Sequence, residues 1–462
     1  MSTLTESQTA LIQQFMTAND VPAVAATVVC DARVVNAGGV GSADLSTQRE
    51  AGADTSWPIA SVTKSFTGVL AMQLVEEGLL DLDAPAIDYL PELLVADPQT
   101  TARLSMRRLL SHTTGLGRTG HQDRTREETV NPFATREALV AALHDVVPQA
   151  PVGGRFSYSN ESMTIAGRII EVLRGKSLET CLEDHVFTPL GMKRTVARFS
   201  EWRADSDRAV LYAGSGIGPY GSGTRHAEYE VVELVEDYQT FLSAGGIAST
   251  ANDLARYQIA SMDRSNSALG LSGNALAHMQ SSQHLYGDSG WGYGFGYWIM
   301  PLANGSRVVG HSGGLPGVST YSMMIPDEGV GVVVLTNRSD VKAIVLAEQL
   351  MGDLRGPLWR EHVDQPLPIK SRWGAPSADD LAPYTGAYRF RRGPAEVRLG
   401  ERGVIINTPS RYDGPSRDLP TCRVARDRFV CLSDGHVVEF LRDDEDRVVG
   451  FLNSGYLYAR AD

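Results

Sequence analysis

Apolar positions along the chain change their period several times, and each change marks a different kind of element. Leu4, Leu11, Ile12, Phe15 and Met16 recur at helical spacing and predict an amphipathic helix over residues 1–20. Two apolar runs, 22–30 and 33–41, are separated only by Asp31-Ala32, which is a hairpin signal. A helical period follows over 61–77, where Phe66, Val69, Leu70, Leu74 and Val75 are spaced for burial and Gly78 supplies a stop. From about 81 to 240 the pattern is helical and loop-like, with helices expected over 136–143, 164–173 and 178–186, and reads as a helical insertion. Strand patterning returns after Ala244-Gly245-Gly246, over 307–309, 319–325 and 329–335, the last two joined by Pro326-Asp327-Glu328. Short turns between apolar runs predict an antiparallel sheet.

Pro366, Pro368, Gly374 and Pro376 then interrupt the pattern, so 363–376 is expected to be a linker. Beyond it no helical period is evident. Short strand-like runs fall at 385–390, 395–399, 403–407, 421–424, 428–432, 436–441, 447–451 and 455–459, which predicts a small up-and-down β-barrel. The expected organisation is an α/β (α+β) domain over 1–362, an antiparallel sheet flanked by helices with a helical subdomain at about 81–240, followed by an all-β domain over 377–462.

Charge narrows the partners. The 462 residues carry a net charge of −13 with Lys and Arg scattered, so there is no electrostatic case for nucleic acid or an anionic membrane, and a small-molecule or peptide substrate is expected. No run approaches the ~20 apolar residues of a membrane span. The N-terminal helix lacks a basic n-region and an apolar h-region, so no signal peptide is expected. Cys30, Cys181, Cys422 and Cys431 form neither a disulfide framework nor a zinc spacing, which suits a cytoplasmic setting. Neither His-x-x-x-His nor Cys-x-x-Cys occurs, and Gly292-Tyr293-Gly294-Phe295-Gly296 lacks the preceding strand and following helix of a nucleotide fingerprint. No metal or cofactor is expected.

Three short motifs carry candidate chemistry. In Ser61-Val62-Thr63-Lys64, residues i and i+3 share one face of a helix start, so the Lys64 amine can reach the Ser61 hydroxyl. Burial of Lys64 would disfavour its ammonium form and let it act as a base. In Gly153-Gly154-Arg155-Phe156-Ser157-Tyr158-Ser159-Asn160, a strand-like conformation would point Tyr158 and Asn160 the same way, Tyr158 toward Ser61 and Lys64, Asn160 toward a substrate amide. In Gly310-His311-Ser312-Gly313-Gly314, a strand runs into small residues that permit close approach. A substrate could lie along this edge at Ser312 and Gly313, with the Gly314 N–H joining that of Ser61 as an oxyanion hole.

In this order the motifs resemble those of the serine penicillin-recognising enzymes, particularly the class C β-lactamase-like, D-aminopeptidase and esterase branch. Supporting stretches are Gly78-Leu79-Leu80-Asp81-Leu82-Asp83-Ala84-Pro85, Leu109-Leu110-Ser111-His112-Thr113-Thr114-Gly115-Leu116, Ala244-Gly245-Gly246-Ile247-Ala248-Ser249-Thr250 and Gly292-Tyr293-Gly294-Phe295-Gly296-Tyr297. The resemblance spans roughly residues 10–350 and assigns His112 a structural place. It implies a sheet domain beside a helical domain with the cleft between them, and a covalent acyl-enzyme on Ser61. Lys64, Tyr158 and His311 would complete the catalytic set. The segment from Tyr384-Thr385-Gly386-Ala387-Tyr388 resembles lipocalin-like barrels appended to some related peptidases and peptide cyclases, where it would cover the cleft or serve stability and assembly.

One departure bears on substrate. Many β-lactamases and transpeptidases carry a lysine where this chain has His311. An imidazole titrating near ~6.5 is mostly neutral at pH 7 and captures a substrate carboxylate poorly. The expected activity is therefore hydrolysis of an amide or ester, in a small peptide containing a D-residue, rather than β-lactam destruction. Two alternatives stand beside it: a peptide cyclase that releases a peptidyl thioester, such as a carrier-protein-bound one, by aminolysis, and a non-catalytic penicillin-binding sensor.

Overall fold

The structure, a computed structural model, describes residues 2–461 except 117–132, 134, 215–220, 227–228, 235–239, 266, 286–291, 303, 340, 357–375, 391–392, 409–416, 432–436 and 454–455. Its centre is a nine-stranded antiparallel sheet in the order Arg49–Glu50, Arg33–Asp44, Ala23–Cys30, Val330–Thr336, Val318–Ile325, Arg307–Leu315, Trp298–Pro301, Gly292–Tyr293, His284–Leu285. The expected N-terminal hairpin is present, and Asp31 and Ala32 both adopt positive φ, as a tight turn matched to strand twist requires. Strands from opposite ends of this domain meet in the middle, with Val24 opposite Thr336 and Val29 opposite Gly331.

Period-two alternation divides the core into two layers. Ala23, Ala25 and Val29 enter one layer and Val24 and Ala26 the other. The rear layer is closed by helices Glu6–Asn19, through Ile12 and Phe15, and Ala343–Arg355, through Leu346 and Leu350. The front layer receives Phe66, Val69, Leu70 and Leu74 of helix Thr63–Glu76. That helix is buried from Thr63 to Leu74 on all sides, not on one stripe, because the inserted helices cover the face the sheet leaves open.

The insertion carries helices Arg136–Ala141, Asn160–Arg174 and Leu178–Leu182 near the expected positions. It also carries a three-stranded sheet, Leu211–Gly214, Tyr229–Val232 and Gly221–His226, which the helical and loop-like reading of this span did not anticipate. Gly214, Gly221 and Gly223 fall within these strands, and glycine is a poor strand former that interrupts the apolar pattern. Among the described residues no helix is long and apolar enough to cross a membrane.

The expected linker, 363–376, lies outside the described residues except for Pro376. After it, eight strands from Gly386–Phe390 to Tyr456–Arg460 pair in sequence order and close into a barrel, Tyr388 opposite Arg460. Aromatic rings pack together inside: Tyr384 on Phe429 and Phe440, Tyr388 on Phe451, and Phe451 stacked on Tyr458 at 4.5 Å. Cys422 and Cys431 are free thiols, opposite Val430 and Thr421 respectively and so not each other's cross-strand partner.

Candidate active site

Ser61 sits in a tight turn that three other segments hold. Trp57-Pro58 pairs with Ala248-Ser249, and the Ile59 N–H donates to the Ile247 carbonyl at 2.9 Å. Ala60 then takes a left-handed φ of 49°, which is strained for a residue with a Cβ. A 3-10 turn over Ala60–Val62 leads into helix Thr63–Glu76, so Ser61 precedes the α-helix proper. From the sheet side, the Thr320 hydroxyl donates to the Ile59 carbonyl at 3.1 Å. Gly313 packs so closely beneath that a Cβ there would lie 2.2 Å from the same carbonyl oxygen and from Thr320 Oγ1. Only glycine lets the strand and the turn approach this far.

Lys64 is fully buried and Ser61 half-buried. Lys64 Nζ lies 3.1 Å from Ser61 Oγ and donates to the Ala244 carbonyl at 2.6 Å. It also sits 4.8 Å from the centre of the Tyr158 ring. The serine, amine and phenol of the first two motifs therefore meet.

Backbone hydrogen bonds dock the Tyr158 loop. Gly153 N–H donates to the Thr113 carbonyl at 2.8 Å and Ser157 N–H to the His112 carbonyl at 2.7 Å. The Ser159 N–H donates to His112 Nδ1 at 3.3 Å, so His112 carries its ring proton on Nε2. Buried, with φ of 56°, His112 is the loop's anchor. Ser159 is extended, but Asn160 already opens helix Asn160–Arg174, capped by Ser159 Oγ accepting from the Ser162 N–H at 3.1 Å. Tyr158 and Asn160 thus straddle a helix N-cap; they do not share a strand face, because Ser159 is a strong capping residue.

The third motif continues strand Arg307–Leu315. His311 is 2% exposed, and neighbours occupy both of its ring nitrogens. Nδ1 can only donate to the Ser312 carbonyl, 2.6 Å away, and Nε2 then accepts from the Tyr293 hydroxyl at 2.9 Å. Burial, and then the neighbouring Lys64, hold the imidazole down at about 3, while burial pushes the Tyr293 phenol well above its ordinary value. His311 is a neutral element of the wall. Ser312 is exposed, Gly313 is buried on the Ser61 turn, and Gly314 stands opposite Ser319. The adjacent strand Trp298–Pro301 pairs only with 307–310, so among the described residues no strand pairs with 311–315 on that side.

A sequence model of the family described as Beta-lactamase matches residues 9–351, well over half of the chain. The chain belongs to the β-lactamase family. Within it, penicillin-binding protein 4 of Amycolatopsis lactamdurans is 29% identical over 351 residues, 74% of this chain and 86% of the relative. A D-aminopeptidase of Cereibacter sphaeroides is 27% identical over 403 residues, 83% of this chain and 70% of the relative. The structure of an octameric penicillin-binding protein homologue from Pyrococcus abyssi is similar with a TM-score of 0.67 and 26% identity, covering 98% of this chain and 99% of that one. That last likeness extends over the barrel as well as the β-lactamase-family domain.

Three contributors to this β-lactamase-family site escaped the motif reading. Tyr293 lies in the glycine-punctuated stretch read as a packed strand edge, yet its hydroxyl donates to His311 Nε2 once the Ser312 carbonyl has fixed the tautomer. The Ala244 carbonyl, inside the Ala-Gly-Gly stretch, is a second acceptor for Lys64. Thr320 holds the Ser61 turn from a neighbouring strand. A tyrosine set between glycines was a visible signal for the first; a backbone carbonyl and a strand threonine carry none.

Proposed function

We propose that this chain is a serine hydrolase that cleaves an amide or ester through an acyl-enzyme on Ser61, in a small peptide containing a D-residue. The observation that carries the reading is the buried Lys64 amine, 3.1 Å from Ser61 Oγ and over the Tyr158 ring. As Ser61 Oγ forms its bond to the substrate carbonyl carbon, its proton passes to a neutral Lys64 Nζ. The carbonyl oxygen becomes an oxyanion received by the N–H groups of Ser61 and Gly314. Lys64 and Tyr158 return the proton to the leaving amine or alcohol as the bond to carbon breaks. Water then attacks the ester by the reverse path and frees the acid and Ser61.

In this scheme His311 positions the strand and transfers no proton, since both its nitrogens are engaged. Its neutrality leaves the third motif without a cation for a substrate carboxylate. This favours substrates whose leaving amine or alcohol carries no carboxylate over β-lactams and peptide C-termini. The 27% identical D-aminopeptidase supports the D-residue preference.

The test is intact-mass detection of a fluorophosphonate adduct, followed by a panel of D- and L-configured peptide amides, esters and thioesters with products identified by mass. One adduct on the unaltered chain and none on Ser61→Ala are expected, with acids released from D-configured substrates. Unchanged labelling of Ser61→Ala would remove the nucleophile assignment. Preference for L-substrates would remove the stereochemical part, and rings or amides in place of acids would make the protein an acyltransferase.

A further inference from the structure

The C-terminal barrel meets the β-lactamase-family domain beside the candidate site. Glu439, on strand Val437–Arg442, lies 3.4 Å from the guanidinium of Arg155, and these side chains are only 22% and 31% exposed. Arg155 falls midway between the two residues whose backbone docks the loop, Gly153 and Ser157, and three residues before Tyr158. On the barrel, Glu439 stands directly opposite Arg428 in antiparallel register, so the two side chains share a face. Arg428 in turn acts on His284, whose imidazole is lowered first by burial and then by this guanidinium and that of Arg108. His284 belongs to the last strand of the central sheet, opposite Tyr293, the residue that holds His311. One ladder position of the barrel therefore meets the Tyr158 loop through Glu439 and lies within electrostatic reach of His284 through Arg428.

We propose that Glu439 is a positioning residue for the Tyr158 loop, acting through Arg155, so that the barrel helps to assemble the site. The proposal rests on the reading of Tyr158 and Ser61 as reactive groups. A partly exposed ion pair contributes little to global stability. Its effect belongs to the segment it holds, the loop that the Gly153 and Ser157 N–H groups dock on either side of Arg155. Because the pair is partly open to solvent, its influence also weakens with salt.

The test uses the full chain with Glu439→Gln, Arg155→Gln and the exchanged pair Arg155→Glu with Glu439→Arg. Two quantities are read: hydrogen–deuterium exchange of the amides of 153–160, and the rate at which a fluorophosphonate labels Ser61. Each single change is expected to speed exchange in this segment and to slow labelling by roughly two- to fivefold, the range such a pair can supply, with the melting temperature unchanged. The exchanged pair is expected to recover both. Wild-type exchange and labelling in Glu439→Gln, or no recovery in the exchanged pair, would overturn the proposal. Failure of the unaltered chain to label at Ser61 would count against the hydrolase reading, and the exchange comparison would then decide the coupling by itself.

Discussion

His311 shows how one side chain can change what a motif means. Its position invites comparison with a lysine, yet it is 2% exposed, donates from Nδ1 to its own neighbour's carbonyl and accepts at Nε2 from Tyr293. A group held at about 3 does not titrate where an enzyme of neutral pH works. The expected pH profile of kcat/KM on an uncharged ester therefore has no limb belonging to this imidazole, and His311→Gln keeps the shape of the profile while lowering its height. Disappearance of an acid limb near ~6.5 in His311→Gln would show instead that the imidazole takes protons during turnover.

At the scale of elements, the site depends on how closely the strand Arg307–Leu315 approaches the turn before helix Thr63–Glu76. Gly313 is the contact point, with the Ile59 carbonyl and the Thr320 hydroxyl each 2.2 Å from where a Cβ would stand. Backbone lies on one side of that contact, so Gly313→Ala must part the strand from the turn. The expected cost is about 1–3 kcal/mol of stability, the range for an overpacked interior, with a larger relative loss in Ser61 labelling because the turn itself moves. Thermal unfolding and labelling rates check this, and normal labelling in a destabilised Gly313→Ala would show that the turn does not rest on the strand. The motif that contains Gly313 was legible as a sequence of small residues after a strand. What the glycine must fit against was not, since Ile59 and Thr320 belong to two other segments. Likewise the N-terminal hairpin announced itself as two apolar runs about Asp31-Ala32 and the barrel as repeated short apolar runs between turns, whereas Gly214, Gly221 and Gly223 interrupt any such run between Leu211 and Val232.

The molecule as a whole joins a buried and a half-buried titratable group, His311 and Glu348, on opposite faces of one sheet, and their effects on stability oppose each other. Unfolding returns His311 to its ordinary 6.5 from about 3, so the unfolded chain binds the extra proton between these values. Its contribution is full above about pH 6.5, is lost as pH falls toward 3, and amounts to at most about 5 kcal/mol. Glu348, on the rear helix Ala343–Arg355, is raised by burial from 4.5 to about 7. The folded chain holds that proton longer, so stability falls as pH rises through this window and stays lower above it, by at most about 3 kcal/mol. Glu348→Gln is expected to raise the melting temperature at pH 8 and to make stability rise more steeply with pH between 4.5 and 6.5, where the His311 effect is then no longer offset. An unchanged slope would show that Glu348 is solvated.

Neighbouring residues suffice for the features that could be read before folding. Ser61 and Lys64 are one turn apart in any helix start, Asp31-Ala32 can close a hairpin without distant help, and two-residue alternation makes a strand wherever the chain runs. The order of three motifs was enough to point to the family. Folding in three dimensions then set the electrostatic state of His311, the carbonyl that shares Lys64, the glycine contact beneath Ser61 and the ion pair between Arg155 and Glu439. Each of these joins residues from different segments, in the last case from the β-lactamase-family domain and the barrel. Burial, close approach and charge pairing are properties of the space between segments, which no local pattern encodes.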